Sequence, residues 1–235
     1  MTITRSNSLR ALNLQWRPVA VGFMPTPPAL LPRVDHSLPA GCAYWKYASE
    51  GHSFYTAPED HFNCPVGAFT HGVTLPETQK IELEGLISTM IKLEYLQGDE
   101  VASIPHRREP LKVAAYAPLD DATFKPDVVI VRGNVRQMML ISEAARSAGI
   151  FNGADILGRP ACAMIAHAAE TENAVASFAC IGNRVYTNLA DDELYVTIPG
   201  AALSNVLERL DVILSANAQL ETYHRGKNDN AQRTM

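Results

Sequence analysis

The amino-acid sequence predicts an α/β chain, with mixed α+β as the variant, in which a mixed sheet is flanked by helices within one globular domain over 1–235. Apolar runs of strand length, Val128–Val131 above all, alternate along the chain with segments of helical periodicity. The 235 residues fit one large domain. A chain of this size, 47% hydrophobic, buries roughly 70% of its unfolded surface and needs no staple.

Each element has a local reason. Leu9–Leu14 is a short amphipathic segment, and Arg17–Phe23 reads as a strand. Pro25–Pro39 holds five prolines, which fix φ and remove donors, so it reads as an irregular crossover. Cys42–Glu50 reads as a helix closed by Gly51, and Ser53–Thr56 as a short strand. Thr74-Leu-Pro-Glu77 has the form of a capping box, and Leu83, Leu86, Ile87, Met90 and Leu93 follow on one helical face. Val113–Ala117 and Val128–Val131 are strands, the second with the β-branched run of a strand buried on both faces. Asn134-x-x-Gln137 caps a helix running through Ala148 to Gly149. Ala161–Glu170 reads as a helix, while Arg184–Tyr186 and Leu194–Ile198 read as strands. A last helix carries Leu203, Val206, Leu207, Leu210, Leu214 and Leu220, and the polar tail 224–235 is expected to fray.

Two halves, 9–97 and 112–223, share an order of landmarks that a duplication would explain. Cys-Ala-x-x-x-x-Ala-x-Glu occurs at Cys42–Glu50 and again at Cys162–Glu170. Cys64 with Gly67 follows the first copy, and Cys180 with Gly182 the second. Leu75-Pro76 and Ile198-Pro199 come next, each before a long helix. Two similarly wired halves without common ancestry would give the same order. With a two-fold relation, one cysteine pair would face the other.

Composition removes several classes. A net charge of −5, a pI near 5.8 and 7% aromatic residues argue against nucleic-acid binding. No apolar run approaches the roughly 20 residues that cross a bilayer, so no membrane partner is expected. The first residues carry no leader pattern, which makes the cytoplasm the expected compartment and structural disulfides unexpected there.

What remains informative is where the four cysteines stand. Cys42 follows Gly41 at a helix start, Cys64 stands in Asn63-Cys-Pro-Val-Gly67, Cys162 follows Gly158-Arg-Pro-Ala, and Cys180 precedes Ile181-Gly-Asn-Arg184. Glycine lets backbone approach a ligand closely, and a helix start favours a thiolate. Thiolates are the form that binds soft metals and iron–sulfur clusters. The chain has no CxxC, and a free cysteine is often a small buried hydrophobe. Cys42, Cys64, Cys162 and Cys180 are the candidate ligands of a [4Fe-4S] cluster. Zinc held by two of these cysteines with two of His52, His61, His71 and His167 is the alternative, and no cofactor the third possibility. Arg132-Gly-Asn134, between strand and helix, offers a weaker anion pocket.

The ordered motifs Pro18-Val-Ala-Val21, Cys64-x-x-Gly67, Gly158-Arg-x-x-Cys162-Ala and Cys180-x-Gly-x-Arg184, followed by Pro199, resemble the domain of unknown function 169 family, the uncharacterised ArCR-type proteins. The likeness runs from about Leu9 to Leu220 and implies no settled activity. The family's occurrence in bacteria and archaea, many of them anaerobes, suits an oxygen-sensitive cluster. The resemblance falls on Cys64, Cys162, Cys180 and Arg184, which leaves three or four ligands open at Cys42.

Three functions follow. The first is a cluster protein with a redox or Lewis-acid role, working with a redox partner or a small molecule. There Arg184 would orient an anionic substrate and His71 or His61 would move a proton. The second is a module that binds or senses a small ligand or metal without turnover. The third is a thiol enzyme with Cys64 or Cys180 as nucleophile beside a histidine.

Overall fold

A computed structural model describes residues 7–151, 156–157 and 159–233. Residues 1–6, which bear on the leader, and Gly158 of the third cysteine motif lie outside the described residues. The chain runs α1 (Asn7–Ala11), β1 (Val19–Met24), α2 (Gly41–Ser49), β2 (Phe54–Thr56), α3 (Pro65–Thr70), α4 (Glu77–Lys92), α5 (Glu100–Ser103) and β3 (Val113–Pro118). It continues through β4 (Val128–Asn134), α6 (Val135–Ser147), β5 (Ile156–Leu157), α7 (Ala163–Thr171), β6 (Val175–Ser177), α8 (Ile181–Thr187), β7 (Glu193–Pro199) and α9 (Leu203–Arg233).

Among the described residues the strands form one sheet in the order β2-β3-β1-β4-β7-β6-β5. Every pairing is antiparallel except β5 on β6, so the sheet is mixed and the fold is α+β. At the centre β1 pairs with β4, Val21 opposite Val128. Side chains alternate across these strands. Val19, Val21, Val128 and Ile130 enter one core with Tyr44, Trp45 and Met164 of α2 and α7. Ala20, Val129 and Val131 enter the other with Met138, Ile141, Val206 and Leu210 of α6 and α9. The unbroken apolar run of β4 is the consequence of this two-sided burial.

Outward from the central pair the order is β1-β3-β2 on one side and β4-β7-β6-β5 on the other, so the sheet divides the chain after β3, inside the expected second half 112–223, and on each side the last strand lies beside the first. The likeness is one of connectivity. Pro118 and Pro199 each close a strand and lead into a 3-10 turn, whereas Pro76 precedes α4. The match of Pro76 with Pro199 expected from sequence is therefore replaced by Pro118 with Pro199.

Three other expectations are corrected. Arg184–Tyr186 is part of helix α8, not a strand. Its buried helical positions are the polar Asn183 and Thr187, so no apolar periodicity marks it, while Val185 and Tyr186 carry strand propensity on the outside. The capping box at Thr74 does not form: α4 begins at Glu77 with extended Pro76 before it. A residue preceding proline is pushed out of the helical region, which keeps Leu75 extended. No residue of α4 is buried, and Leu86 and Leu93 of the expected apolar face are exposed. Helix α9 runs as far as Arg233. The capping box at Asn134 and Gln137 does form, with Asn134 accepting from the Gln137 N–H at 3.0 Å.

Arg132 does not present its charge to an anion. Its Nε donates to Glu193 at 3.0 Å, and its two terminal nitrogens donate to the Thr187 and Asn188 carbonyls at 3.0 and 2.7 Å. This nearly buried clip ties the end of α8 to β4 and β7.

Gly200 fixes the turn after β7. A Cβ there would lie 1.8 Å from the Pro126 carbonyl oxygen, while the Gly200 N–H donates to Asp127 at 2.7 Å. Backbone on both sides leaves no side chain to yield, so Gly200→Ala is expected to cost about 3 kcal/mol or more of stability, read as a lowered midpoint in urea unfolding.

Candidate functional site

The four cysteines stand at the starts of four helices. Cys42 is the second residue of α2, and Cys64, Cys162 and Cys180 are the N-cap residues of α3, α7 and α8. Packing of α2 on α8 and on α3, and of α3 on α7, gathers these starts on one face of the sheet. The closest approach uses two glycines. A Cβ on Gly67 would lie 3.1 Å from the Cys64 sulfur and 3.4 Å from the Gly41 Cα, so larger residues would push α2 and α3 apart. Gly182, by contrast, has room for a Cβ, its nearest neighbour being 3.8 Å away on Tyr186.

The thiols are near enough to act on one another. Burial pushes the Cys42 thiol up to about 12, and the nearby sulfurs of Cys64 and Cys180 push the same way. Burial also drives Cys162 well above its ordinary value, with the charges of Cys64, Cys180 and Cys42 adding to it. Two side chains oppose this. Asn183, 2% exposed and with its Nδ2 otherwise unpartnered, faces the Cys42 sulfur. The Thr70 hydroxyl, which donates to the Gly67 carbonyl at 2.9 Å, reaches the Cys162 sulfur. All four cysteines are free thiols. Among the described residues no three or more His, Cys, Asp or Glu side chains are grouped so as to hold a metal ion.

The other sequence candidates take distinct places. His71, 1% exposed, lies at the end of α3, its Nδ1 2.9 Å from the Gly67 carbonyl and 3.2 Å from the Thr70 hydroxyl. Burial lowers it to about 4, so its imidazole is neutral. His61 stacks on His71 with ring centroids 5.3 Å apart and contacts Thr56 through Nε2 at 2.9 Å. Burial lowers it as well. Thr70 thus connects the histidine pair to Cys162. His52 stacks instead on Tyr47 at 3.7 Å. Arg184 donates to the Phe178 and Ala190 carbonyls at 3.0 and 3.1 Å, bracing the turn that carries Cys180.

Sequence reasoning missed Thr70, Asn183 and Arg107. Asn183 lies inside the motif already noted at Cys180, three residues past the cysteine, and that placement was the available signal. Arg107 follows α5 in an irregular segment, with no periodicity to mark it.

The geometry defines a class first: an α+β protein whose sheet carries a seam of four thiols drawn from both halves of the chain. The chain belongs to the domain of unknown function 169 family, described as Uncharacterised ArCR, whose model matches residues 9–209. It is similar to the uncharacterized protein MJ0308 of Methanocaldococcus jannaschii, at 26% identity over 174 residues, 69% of this chain and 71% of that protein. No solved structure matches it. Among the described residues no helix is long and apolar enough to cross a membrane.

In metal-free protein near about pH 8, iodoacetamide should modify Cys42 and Cys162 far more slowly than half-exposed Cys64 and Cys180, as read by peptide mass spectrometry. The unfolded Cys42 thiol ionises near about 8.5. Because the folded chain holds that proton up to about 12, it binds more protons than the unfolded chain across this window. Stability of the metal-free form should therefore fall as pH rises through it.

Proposed function

We propose that the chain binds an iron–sulfur cluster, of the [4Fe-4S] type, through Cys42, Cys64, Cys162 and Cys180 and uses it to exchange electrons. The observation that carries this reading is the gathering of four thiols from four helix starts. As bare thiolates they would repel one another in a largely apolar setting, and burial already opposes their ionisation. A positively charged metal group reverses that balance, since a coordinating thiol gives up its proton outright.

A cubane cluster is preferred to zinc because, among the described residues, no three or more His, Cys, Asp or Glu side chains meet so as to hold a single ion. Each cysteine of a cluster takes its own iron, so the sulfurs surround a body instead of meeting at one ion. A tetrahedral zinc would need every donor about 2.0–2.3 Å from a single centre. The starts of α2 and α7 add backbone N–H groups, which favour the negative charge of a thiolate-bound cluster. Asn183 would donate to the Cys42 sulfur, and such a bond tunes a cluster's potential.

Raised thiol values make Cys42 and Cys162 poor nucleophiles, so a thiol enzyme would have to use Cys64 or Cys180. Four thiolates leave no open iron, which favours electron exchange over Lewis-acid chemistry. A redox partner is accordingly part of the proposal, and a cytoplasmic location suits the oxygen sensitivity of such a group.

Protein purified without oxygen, or reconstituted with ferrous iron and sulfide, should be brown and hold about four irons per chain. Cys162→Ser should lower iron content by more than half. A colourless preparation that takes up no iron under reconstitution overturns the proposal. A Cys42→Ser variant that keeps its iron would shift the reading to three ligands and an open, Lewis-acidic iron.

A further inference from the structure

Beside the thiol seam lies a nearly buried cation with no close ion pair among the described residues. The Arg107 side chain is 11% exposed, and its ion pair with Glu109 is 4.0 Å long to a carboxylate that is itself 88% exposed. Its Nε is buried without a hydrogen-bond partner among the described residues. Burial lowers its proton affinity, while the charges of Glu170, Asp127 and Glu109, in that order, act the other way. A guanidinium in this state is costly unless something anionic completes it.

Its position is fixed. The Arg107 N–H donates to the Thr70 carbonyl at 3.0 Å, and its guanidinium lies 3.7 Å over the Phe23 ring. Gly72, at φ +71°, takes the left-handed backbone that lets this segment close in: a Cβ there would lie 2.7 Å from the Glu109 carbonyl oxygen. His71 meets the same Phe23 ring edge-on, with centroids 6.2 Å apart. Its Nδ1 sits 2.9 Å from a carbonyl oxygen and must therefore carry the proton and donate. Its Nε2 is then a bare acceptor, buried and without a partner.

Two complementary vacancies thus share one aromatic ring, a donor fork seeking an anion and an acceptor nitrogen seeking a proton-bearing group. We infer that Arg107, His71 and Phe23 form a subsite for a small carboxylate whose adjacent carbon carries a hydroxyl, thiol or amine. The guanidinium takes the carboxylate by paired N–H bonds, as its planar geometry favours. The His71 Nε2 accepts from the neighbouring group. Through Thr70 this subsite adjoins Cys162, so the inference extends the cluster reading by naming the class of molecule held beside it.

Glycolate and acetate are the probes, titrated into full-length protein by calorimetry. Glycolate should bind more tightly than acetate. Arg107→Met, which keeps the contact with Phe23, should weaken both by about tenfold or more. His71→Asn should remove the preference for glycolate and leave acetate binding in place. Thermal unfolding of each variant establishes that it is folded. Should either variant fail to fold, the Arg107 Nε–H resonance of ¹⁵N-arginine-labelled wild type supplies the test, since glycolate should shift it. Wild type that binds neither acid, or an Arg107→Met variant that binds both as wild type does, overturns the inference. Iron is measured in the same samples. Protein that binds glycolate yet takes up no iron under reconstitution keeps the subsite and removes the cluster reading, and iron-loaded protein that ignores glycolate does the reverse.

Discussion

The structure depends on burying the central β1–β4 pair on both faces. An antiparallel sheet usually leaves one face to water, but here helices cover both, and every side chain of Val128–Val131 is inside. A polar residue inside either face is costly without a partner. Arg132 is paired with Glu193, whereas the buried Thr197 hydroxyl on β7 has no hydrogen-bond partner. The proposed site is confined to one face, between the sheet and the starts of α2, α3, α7 and α8.

That confinement explains why helix starts supply the thiols. A helix start offers a fixed backbone direction, unpaired N–H groups and a side chain aimed away from the helix body. Four starts drawn together by α2 on α8 and α3 on α7 hold four sulfurs without any short metal-binding loop. The Gly41–Gly67 contact sets how closely the first two approach, and Arg184 keeps the turn at Cys180 in shape.

Much of the fold was legible. The β-branched run of β4, the Asn134–Gln137 box of α6 and the prolines of 25–39 each have a local cause that survives in the folded chain. What was not legible has a common reason. α8 hides its helical period because its inward residues are Asn183 and Thr187. α4 shows an apolar period yet packs little of it. A sequence pattern reports which residues are apolar, not which face another element will cover. The cysteines could be singled out by their neighbours, while Thr70 and Arg107 gain their significance only from contacts across the chain.

The two halves differ in one respect. Between α8 and β7 the second half uses only residues 188–192, whereas between α3 and β3 the first half spends residues 71–112. No strand of the sheet lies in that excursion, and α4 within it buries no residue, although Leu75 joins the core and Leu83 packs against it. Yet it delivers Arg107 to the edge of the thiol seam. Its length and composition can therefore vary among related chains without disturbing the strand order. It is the place where evolution could change what the site accepts while leaving the scaffold intact.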